Sequence, residues 1–592
     1  MHPLPRLGWS LLALAALAAG CDPGSGRSTA STAAAVSSGS FVVAHTTPAD
    51  GQVDAPVDAS LYVTLSHDLD PASLVPGAVE LRSDQGLVAA SVRAVTPRVI
   101  EVDPATHLVS ATPHLLQVTA ALQDVQGRPL AAPVAVRFTT DAVVPIVGPG
   151  GSYPLAPALP GPYQAGVAAL DMTPRTGVPL AGYGGGARRR LIPDINPFDD
   201  TTLLHASTGA RDPVMAKCLV LANGFERVAI VTLDAVACDE QLVAKAWRKA
   251  QAQGFSVPLE KVLFAASHTH SGPGALTRRL AWQVIAVDLY RTRVAEALCD
   301  RIARAMLDAE ASLAPAVVGL ASTQVTGATA NRRVGSSPNL TSADIDPELL
   351  VIRVDRPGGA PLATVWNFAI HGTHFLESNL EFSADIMGSA SAKAEAQGAG
   401  VALFLNGAEG DIRPTGGYDA TGQLLADAIL LARRQATTRA DGVLQTTHEH
   451  VDMGPTVVEF DAVRHGGALV GQSGILQGMA QLGLTLGTRV RLPDGWLERS
   501  FRYQAIRIDR SVIASLPGEP IHELGLAIKL LGKGQGYEHV LAAGLANGHG
   551  SYFTTAREYQ VGGYEGLASM FDQGGGAVLV ESARRQMERL KP

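Results

Sequence analysis

The sequence Ser-His-Thr-His-Ser-Gly-Pro-Gly at residues 267–274 directly follows an apolar run at residues 261–266. An apolar, β-branched run that is closed by Gly and Pro is typical of a buried strand ending in a sharp loop. Because residues two apart in a strand point the same way, His268 and His270 are expected to face one side of the sheet, at the strand end where α/β proteins bind ligands. Two imidazoles held there fit a Zn²⁺ site, and histidines that hydrogen-bond loop carbonyls explain the motif equally well.

The composition is that of a folded protein with several domains. At 592 residues the chain is too long for one ordinary core, so about two to four domains are expected. Apolar residues make up 46% and charged residues 17%, which excludes a disordered chain. The net charge is −8 and no basic run occurs, which argues against a nucleic-acid partner.

The first residues predict export. Arg6 precedes an apolar run at residues 11–19, so residues 1–20 are a predicted signal peptide, too short to span a bilayer permanently. The sequence Leu-Ala-Ala-Gly-Cys at residues 17–21 resembles a bacterial lipoprotein signal, which implies cleavage before Cys21 and acylation of its thiol. The protein would then be lipid-anchored in the bacterial cell envelope, in the periplasm or at the cell surface. The alternative is an ordinary signal peptide that happens to contain a cysteine.

Changes in composition predict four further segments. Residues 21–40, rich in Ser, Thr, Ala and Gly, are a predicted flexible tether. Residues 41–140 contain short alternating strands broken by Pro, Gly and Asp, which predict a β-sandwich. Residues 141–164 form a predicted Pro/Gly linker, and strand-like runs alternate with helix-like runs over 165–592. The predicted fold class is therefore multidomain, with an all-β sandwich followed by a large α/β domain.

Local patterns within the α/β domain give finer expectations. Residues 227–236 and 503–516 are each predicted to form one strand, and Asp239 is expected to cap a helix that ends at Gly254. The cysteines of this domain lack CxxC spacing and lie in apolar surroundings, which favours buried free thiols and leaves one bridge open. They are Cys218, Cys238 and Cys299.

The β-rich segment contains three motifs, Thr-Pro-Ala-Asp-Gly at 47–51, Asp-Leu-Asp-Pro-Ala-Ser at 68–73 and Arg-Phe-Thr-Thr at 137–140. With these motifs it resembles a bacterial Ig-like domain of cell-surface enzymes. The resemblance implies a role in spacing or adhesion.

Four motifs follow one another along the α/β segment: the first stretch at 267–274, Trp-Asn-Phe-Ala-Ile-His-Gly-Thr at 366–373, Leu-Pro-Gly-Glu-Pro at 516–520, and a Tyr-rich motif at 552–566. Together and in this order they resemble the neutral/alkaline ceramidase family, over about residues 165–590. The resemblance implies a zinc-hydrolase-like domain that cleaves linear N-acyl amides, with a ceramide-like lipid as the first candidate substrate.

The resemblance also implies a set of site residues. One Zn²⁺ per chain would be held by His268, His371, Glu519 and Tyr552. The second histidine of the first motif, an arginine and a tyrosine would lie beside the substrate's amide oxygen and hydroxyls, and they map to His270, Arg332 and Tyr564. Donors near developing negative charge commonly supply the largest electrostatic contribution to catalysis.

The sequence departs from the family where its proposed serine nucleophile stands. The family's Gly-Asp-x-Ser-Pro is Gly-Asp-Ile-Arg-Pro here, at residues 410–414, so Arg413 replaces the serine. Because arginine cannot act as that nucleophile, water activated by zinc is the predicted nucleophile. Asp411 or Glu409 would accept its proton, and loop capping is an equally open role for both acids.

Other interpretations remain open at the level of sequence. If Arg332, Arg333 and Arg413 converge, they would suit a carboxylate or phosphate on the substrate. Independently of the arginines, the chain could be a zinc esterase or amidase acting on a small or anionic molecule, or a non-catalytic surface-binding relative that lost catalysis with the serine. His448 and His450 form a second His-x-His motif, which is predicted to lie on a solvated strand face.

Overall fold

The computed structural model describes residues 40–140, 155–460 and 488–592, apart from 49, 52–54, 56–60, 106, 107, 110, 197 and 572. The described residues separate into two compact units. The first contains residues 40–140 together with 490–497, and the second contains the remainder. The predicted signal peptide, Cys21 and nearly all of the predicted tether lie outside the described residues, as do residues 141–154 of the predicted linker.

The first unit is a β-sandwich of two antiparallel four-stranded sheets. Alternate apolar side chains from both sheets, such as Leu61 and Val63 on one and Leu116 and Val118 on the other, are buried in one core. The sandwich predicted for this region is therefore confirmed. In spatial order, one sheet contains Val43–Thr47, Leu61–Leu65, Val99–Pro104 and Ala90–Thr96, and the other contains Gly86–Leu87, Val79–Ser83, Pro113–Val118 and Val134–Thr139.

The second unit contains the same arrangement of elements three times. Each repeat has three consecutive antiparallel strands, a helix, a fourth strand parallel to the third, and a second helix that packs on the first. A parallel pair requires a crossover connection, and the first helix of each repeat provides it. We call the segments 164–311, 317–435 and 444–589 the first, second and third repeats.

The four strands of each repeat are neighbours in sequence order. Those of the first repeat are Gln164–Asp171, Met215–Ala222, Arg227–Leu233 and Val262–Ala266, with Ala314–Pro315 as an added edge strand. Those of the second are Val317–Gln324, Glu348–Asp355, Pro361–Phe368 and Val401–Asn406, and those of the third are Leu444–Asp452, Ser500–Ile508, Ser511–Ser515 and His539–Ala543. The helix pairs are Glu240–Gln251 with Thr292–Ala311, Asp385–Ala396 with Tyr418–Gln435, and His522–Gly534 with Gly575–Arg589.

Shorter elements complete this unit. Two-residue or three-residue strand pairs are Gly209–Ala210 with Glu381–Phe382, Thr329–Asn331 with Ile412–Pro414, Gly161–Pro162 with Asp441–Gly442, and Glu519–Pro520 with Tyr552–Phe553. Further strands are Val457–Phe460 and Thr488–Arg491, of which the last two residues belong to the first unit, and further helices are Leu280–Trp282, Ala556–Val561 and Gly563–Leu567. None of the described helices combines the length and the apolar character needed to cross a bilayer.

One face of each sheet contributes to a shared core. Leu263, Ile352 and Ile506, one from each repeat, belong to the same cluster of buried side chains. The opposite face is covered by helices, as where Trp366 of the second repeat packs in a cluster with Leu425. Strands that are buried on both faces have continuous apolar sequences. Such strands can therefore be recognised from the sequence.

The local expectations are largely confirmed. Asp239 caps the helix Glu240–Gln251 by accepting the N–H of Leu242, and the three cysteines are buried free thiols. Two expectations are wrong. Residues 503–516 belong to two strands, Ser500–Ile508 and Ser511–Ser515, because Asp509 turns the chain with a φ of 53°. The predicted linker overlaps the second unit, because Tyr163 is 1% exposed in its core.

Candidate metal centre

The candidate centre lies where strands of all three repeats end. His268 follows the fourth strand of the first repeat by two residues, and His371 and Glu409 each follow a strand of the second repeat by three. Glu519 comes four residues after Ser515 in the third repeat. Parallel strands end at one edge of a sheet, so the topology delivers these side chains to a common place. Tyr552 joins them because the short strands pair Glu519 with Tyr552.

The side chains of His268, His371 and Glu519 meet at close distances. The Nε2 of His268 lies 3.0 Å from the Nε2 of His371 and 3.2 Å from the Oε2 of Glu519. The Nε2 of His371 lies 3.9 Å from the same oxygen. Ligands on a tetrahedral zinc with bonds of about 2.0–2.1 Å are separated by about 3.3 Å, so these three atoms have the spacing of a ligand set.

The hydrogen bonds of the two histidines leave lone pairs facing each other. The Nδ1 of His268 donates to the carbonyl of Val236 at 2.7 Å, and the Nδ1 of His371 faces the carbonyl of Glu409 at 3.4 Å. A neutral imidazole protonated on Nδ1 carries its lone pair on Nε2. The Oε2 of Glu519 is buried without a donor among the described residues. A cation removes this repulsion, so the donor set fits a divalent metal.

The loop at His268 differs from the expected strand. The strand ends at Ala266, and His268 has a φ of 65°. The two histidines of the motif still converge, with their Nε2 atoms 3.2 Å apart. The prediction that they face the same way is therefore confirmed, but the left-handed turn at His268, rather than strand alternation, is the cause.

His270 is buried next to His268 and Tyr183. Its ring contacts Tyr183 edge-on, with ring centres 4.6 Å apart, and its Nδ1 has no partner among the described residues. Burial, followed by the charge of His268, lowers the pKa of His270 well below its usual value. A neutral imidazole is therefore expected at this position.

Tyr552, Arg332 and Tyr564 form one group beside the centre. Arg332 donates to the Oη of Tyr552 at 3.0 Å, to the carbonyl of Gly410 and to Glu565. Burial, followed by Glu519, raises the pKa of Tyr552 well above its usual value, and Arg332 acts in the opposite direction. Tyr564 contacts Tyr552 edge-on, with ring centres 5.3 Å apart. Arg332 and Tyr564, which the resemblance implies beside the substrate, and Tyr552, which it implies as a metal ligand, are thus brought together.

Glu409 and Asp411 have different environments. Glu409 is completely buried, and a carboxylate oxygen of Glu409 lies within 4.8 Å of ligand atoms of His268 and Glu519. Burial, followed by Glu519, raises the pKa of Glu409 well above its usual value. Asp411 accepts from His522 through both oxygens and from Asn331. Asp411 therefore holds a loop in place, which is the capping role left open, and its geometry gives no support to a role as proton acceptor.

The three arginines do not converge. Arg333 is 1% exposed and is paired with Glu558 and Glu565, whereas the side chain of Arg413 is exposed at the strand Ile412–Pro414. The hypothesis of a three-arginine anion site is therefore wrong. The substituted residue at the family's serine position lies at the surface, whereas the histidine cluster is buried.

His549 is a site residue that the sequence analysis missed. Its Nε2 lies 2.9 Å from the Oε1 of Glu519, and its ring packs on Trp282 with centres 4.6 Å apart. Its position six residues after the strand His539–Ala543 is a signal that could have identified it, because the other ligand loops also follow strand ends.

A pocket of about 100 Å³ opens beside the cluster. His268, His270, Glu519, Tyr552 and Tyr564 form one part of its wall. Most of the remaining wall is apolar and includes Val236, Leu242, Leu276, Trp282, Ile285, Val287 and Met570. The site therefore combines a polar centre with an apolar surface, which suits an amphiphilic ligand.

Comparison with known proteins identifies the domain. Residues 201–424 match the model for "neutral/alkaline non-lysosomal ceramidase, N-terminal", and residues 38–140 match that for a bacterial Ig-like domain. The chain carries a neutral ceramidase family domain. The matched part of this ceramidase-family domain includes His268, His371 and Glu409, whereas Glu519 and Tyr552 lie beyond it.

Individual relatives agree with the ceramidase-family assignment. The chain is 24% identical to a neutral ceramidase of Mycobacterium tuberculosis over 423 residues, which are 58% of this chain and 66% of the relative. It is also 24% identical to the neutral ceramidase of Pseudomonas aeruginosa, over 52% of this chain and 56% of the relative. The chain thus spans just under two thirds of the first relative and little more than half of the second.

Solved structures confirm the fold. The crystal structure of the Pseudomonas aeruginosa neutral ceramidase superimposes with a TM-score of 0.61 and 20% identity, over 73% of this chain and 74% of that one. A ceramidase complexed with C2 gives a TM-score of 0.60 and 20% identity, over 72% and 75%. The second unit therefore has the ceramidase fold.

Proposed function

We propose that the chain is a zinc-dependent hydrolase of N-acyl amide bonds, with a ceramide-like lipid as its first candidate substrate. The observation that carries this proposal is the meeting of two imidazoles and a carboxylate from three separate repeats at the polar part of an apolar pocket. The coverage by a ceramidase-family domain supports the amide bond as the target.

His268, His371, Glu519 and Tyr552 would hold the metal. A bound Zn²⁺ would lower the pKa of a water molecule and polarise the substrate carbonyl. The carbonyls of Val236 and Glu409 orient the two imidazoles, and His549 orients Glu519. Such outer contacts set the tautomer and basicity of metal ligands.

The remaining residues would act on the substrate directly. His270 and Tyr564 line the pocket next to the cluster, where polar groups can stabilise negative charge that develops on the amide oxygen. The apolar wall around Trp282 and Ile285 would bind an acyl or sphingoid chain and exclude water from the reacting bond.

The test is zinc content and fatty-acid release from an N-acyl-sphingosine, for the wild type beside His268→Ala. We expect about one Zn²⁺ per wild-type chain. The variant is expected to lose the metal, and its rate should fall by more than about 100-fold. His205→Ala is a matched control, because His205 is exposed. Zinc binding without turnover would favour the non-catalytic alternative, and a metal-free wild type would overturn the proposal.

Attachment to a bacterial envelope membrane through Cys21 is part of the same proposal. It rests on the sequence of residues 1–21, and a tethered hydrolase with an apolar pocket would work close to its lipid substrate. A Cys21→Ala variant is expected to move from the detergent phase to the aqueous phase on Triton X-114 partition. An unchanged distribution would argue against acylation.

A further inference from the structure

Glu409 is a buried carboxylate that forms no ion pair with any other described residue. It is completely buried, and neither of its oxygens accepts a hydrogen bond from another residue in the described part of the chain. A buried, unpaired carboxylate is strongly unfavourable unless a cation or a proton compensates it.

The neighbours of Glu409 increase this cost. A Glu409 oxygen lies within 4.8 Å of a Glu519 oxygen and of a His268 ring nitrogen. The nearby Arg332 does not pair with it, because its guanidinium donates to Glu565, Tyr552 and the carbonyl of Gly410. Two carboxylates therefore face the same small space beside a nitrogen lone pair.

The fold places Glu409 as it places His268. The last paired residues of the third and fourth strands are Leu233 and Ala266 in the first repeat. In the second repeat they are Phe368 and Asn406. His268 comes two residues after its strand, and Glu409 comes three residues after the corresponding strand. Glu409 thus belongs to the set of loops that supply the other ligands.

We infer that Glu409 is an additional ligand of the metal centre, which then holds its divalent cation together with His268, His371, Glu519 and Tyr552. This inference rests on the metal site of the proposed function and adds to the four residues that the family resemblance implies. A second carboxylate makes the donor set richer in oxygen and more negative. Oxygen donors favour harder cations, so Glu409 strengthens binding of Mn²⁺ more than binding of Zn²⁺.

The experiment compares wild type with Glu409→Gln, a neutral substitution of the same shape. Apparent affinities for Zn²⁺ and for Mn²⁺ are measured by competition with a chelator, on metal-free protein reloaded with each metal alone. We expect the variant to bind Zn²⁺ at least about 10-fold more weakly, with a larger loss for Mn²⁺. The visible absorption spectrum of the Co²⁺-loaded protein should also change, because it reports the ligands.

The thermal stability of the metal-free proteins provides an independent measurement. Removing one of two facing carboxylates should leave the metal-free variant at least as stable as the metal-free wild type, whereas added Zn²⁺ should raise its melting temperature less. The control is Asp411→Asn, which changes a buried carboxylate two residues away that is bound to His522 and Asn331. Its Co²⁺ spectrum should match that of the wild type.

The outcomes separate this inference from the proposed function. If wild type binds one metal and Glu409→Gln binds Zn²⁺ and Mn²⁺ with the same affinities and the same Co²⁺ spectrum, Glu409 is not a ligand and the zinc hydrolase proposal stands. If the wild type itself binds no divalent metal, the metal centre and with it the inference are overturned.

Discussion

At the scale of single residues, the site depends on backbone positions that resist change. His268 holds a φ of 65°, a conformation that costs a residue other than glycine about 1 kcal/mol or more. Its backbone N–H donates to the carbonyl of Ala235, and its ring is fixed by the carbonyl of Val236. The surrounding contacts therefore impose the strained geometry that directs the imidazole toward its partners.

Gly182 tests the placement of His270. A Cβ at Gly182 would lie 2.6 Å from the Cγ of His270, so Gly182→Ala must displace that ring. We expect amide hydrolysis to fall by about 100-fold, because a displacement of about 1 Å at a reacting site has such an effect. The measurement is the rate on an N-acyl-sphingosine.

Gly177→Ala is a matched control for this variant. Gly177 and Gly182 have nearly the same φ, 105° and 106°, but no atom of the described residues beyond its chain neighbours lies within 4 Å of a Cβ at Gly177. Both substitutions should therefore impose similar backbone strain, and only Gly182→Ala should lose activity. An equal loss of activity in the two variants would show that backbone strain, and not His270, is responsible.

His549 tests the support of Glu519. His549→Ala removes the contact of 2.9 Å to the Oε1 of Glu519. Loss of such an outer contact typically weakens metal binding by about 10–100-fold, and we expect a decrease of this size for Zn²⁺. Chelator competition measures it, with the exposed His205→Ala as reference. Unchanged affinity would mean that Glu519 is held by other contacts.

At the scale of elements, the loops after the third and fourth strands of each repeat carry the chemistry. Gly372 shows how tightly two of these loops pack, because a Cβ there would lie 2.2 Å from the carbonyl oxygen of His268. The short strand pair that sets Glu519 beside Tyr552 has the same effect in the third repeat. Ligand geometry is thus a property of loop packing against neighbouring loops.

The strand Leu444–Asp452 carries a pH-sensitive pair. His448 and His450 are half-buried rather than solvated as predicted, and burial, followed by Arg502, lowers their pKa values to about 4 and about 3. A histidine with a lowered folded-state pKa is protonated more readily in the unfolded chain. Its contribution to stability is therefore complete above pH of about 6.5 and is lost as the pH falls toward these values.

We expect the variant with both His448→Gln and His450→Gln to lose less stability than the wild type between pH 7 and pH 5. Denaturant unfolding at the two pH values measures this difference. Metal release in acid affects both proteins equally, so the comparison isolates the pair. Parallel pH dependence in the two proteins would show that the histidines stay equally protonated on unfolding.

At the scale of the whole molecule, three copies of one arrangement create a site that no copy contains. The first repeat supplies His268, the second supplies His371 and Glu409, and the third supplies Glu519. The shared core fixes the three sheets relative to one another, because apolar side chains of all three belong to one cluster. The centre is therefore expected to form only when the whole second unit is folded.

A chain that begins at residue 155 tests this expectation. All the candidate ligands belong to the second unit, so the truncated chain should bind about one Zn²⁺. It should also keep its rate on a soluble short-chain N-acyl-sphingosine within about 2-fold, as expected for an independent domain. His268→Ala in the truncated chain is the control. Loss of metal from a truncated chain that is still folded would show that the first unit supports the centre.

The sequence by itself determined the sandwich, the α/β character of the second unit and the residues around the centre. A buried strand and the loop that follows it can be recognised from neighbouring residues, as an apolar run followed by Gly or Pro. The motifs at 267–274, 366–373 and 516–520 each lie at the carboxyl end of such a strand. The threefold repeat was not predicted. The three segments share a strand order and a pattern of strand pairing, and these can be the same without any common sequence motif.

Only the tertiary structure decided which polar residues meet. It separated Glu409 from Asp411, two acids that the sequence places in one loop, by giving Asp411 donors and leaving Glu409 beside the cluster. It also placed Arg413 at the surface and His549 against Glu519. The reason is physical: the environment of a side chain depends on neighbours that are distant in the sequence, by 111 residues for Asp411 and His522, and no local pattern records them.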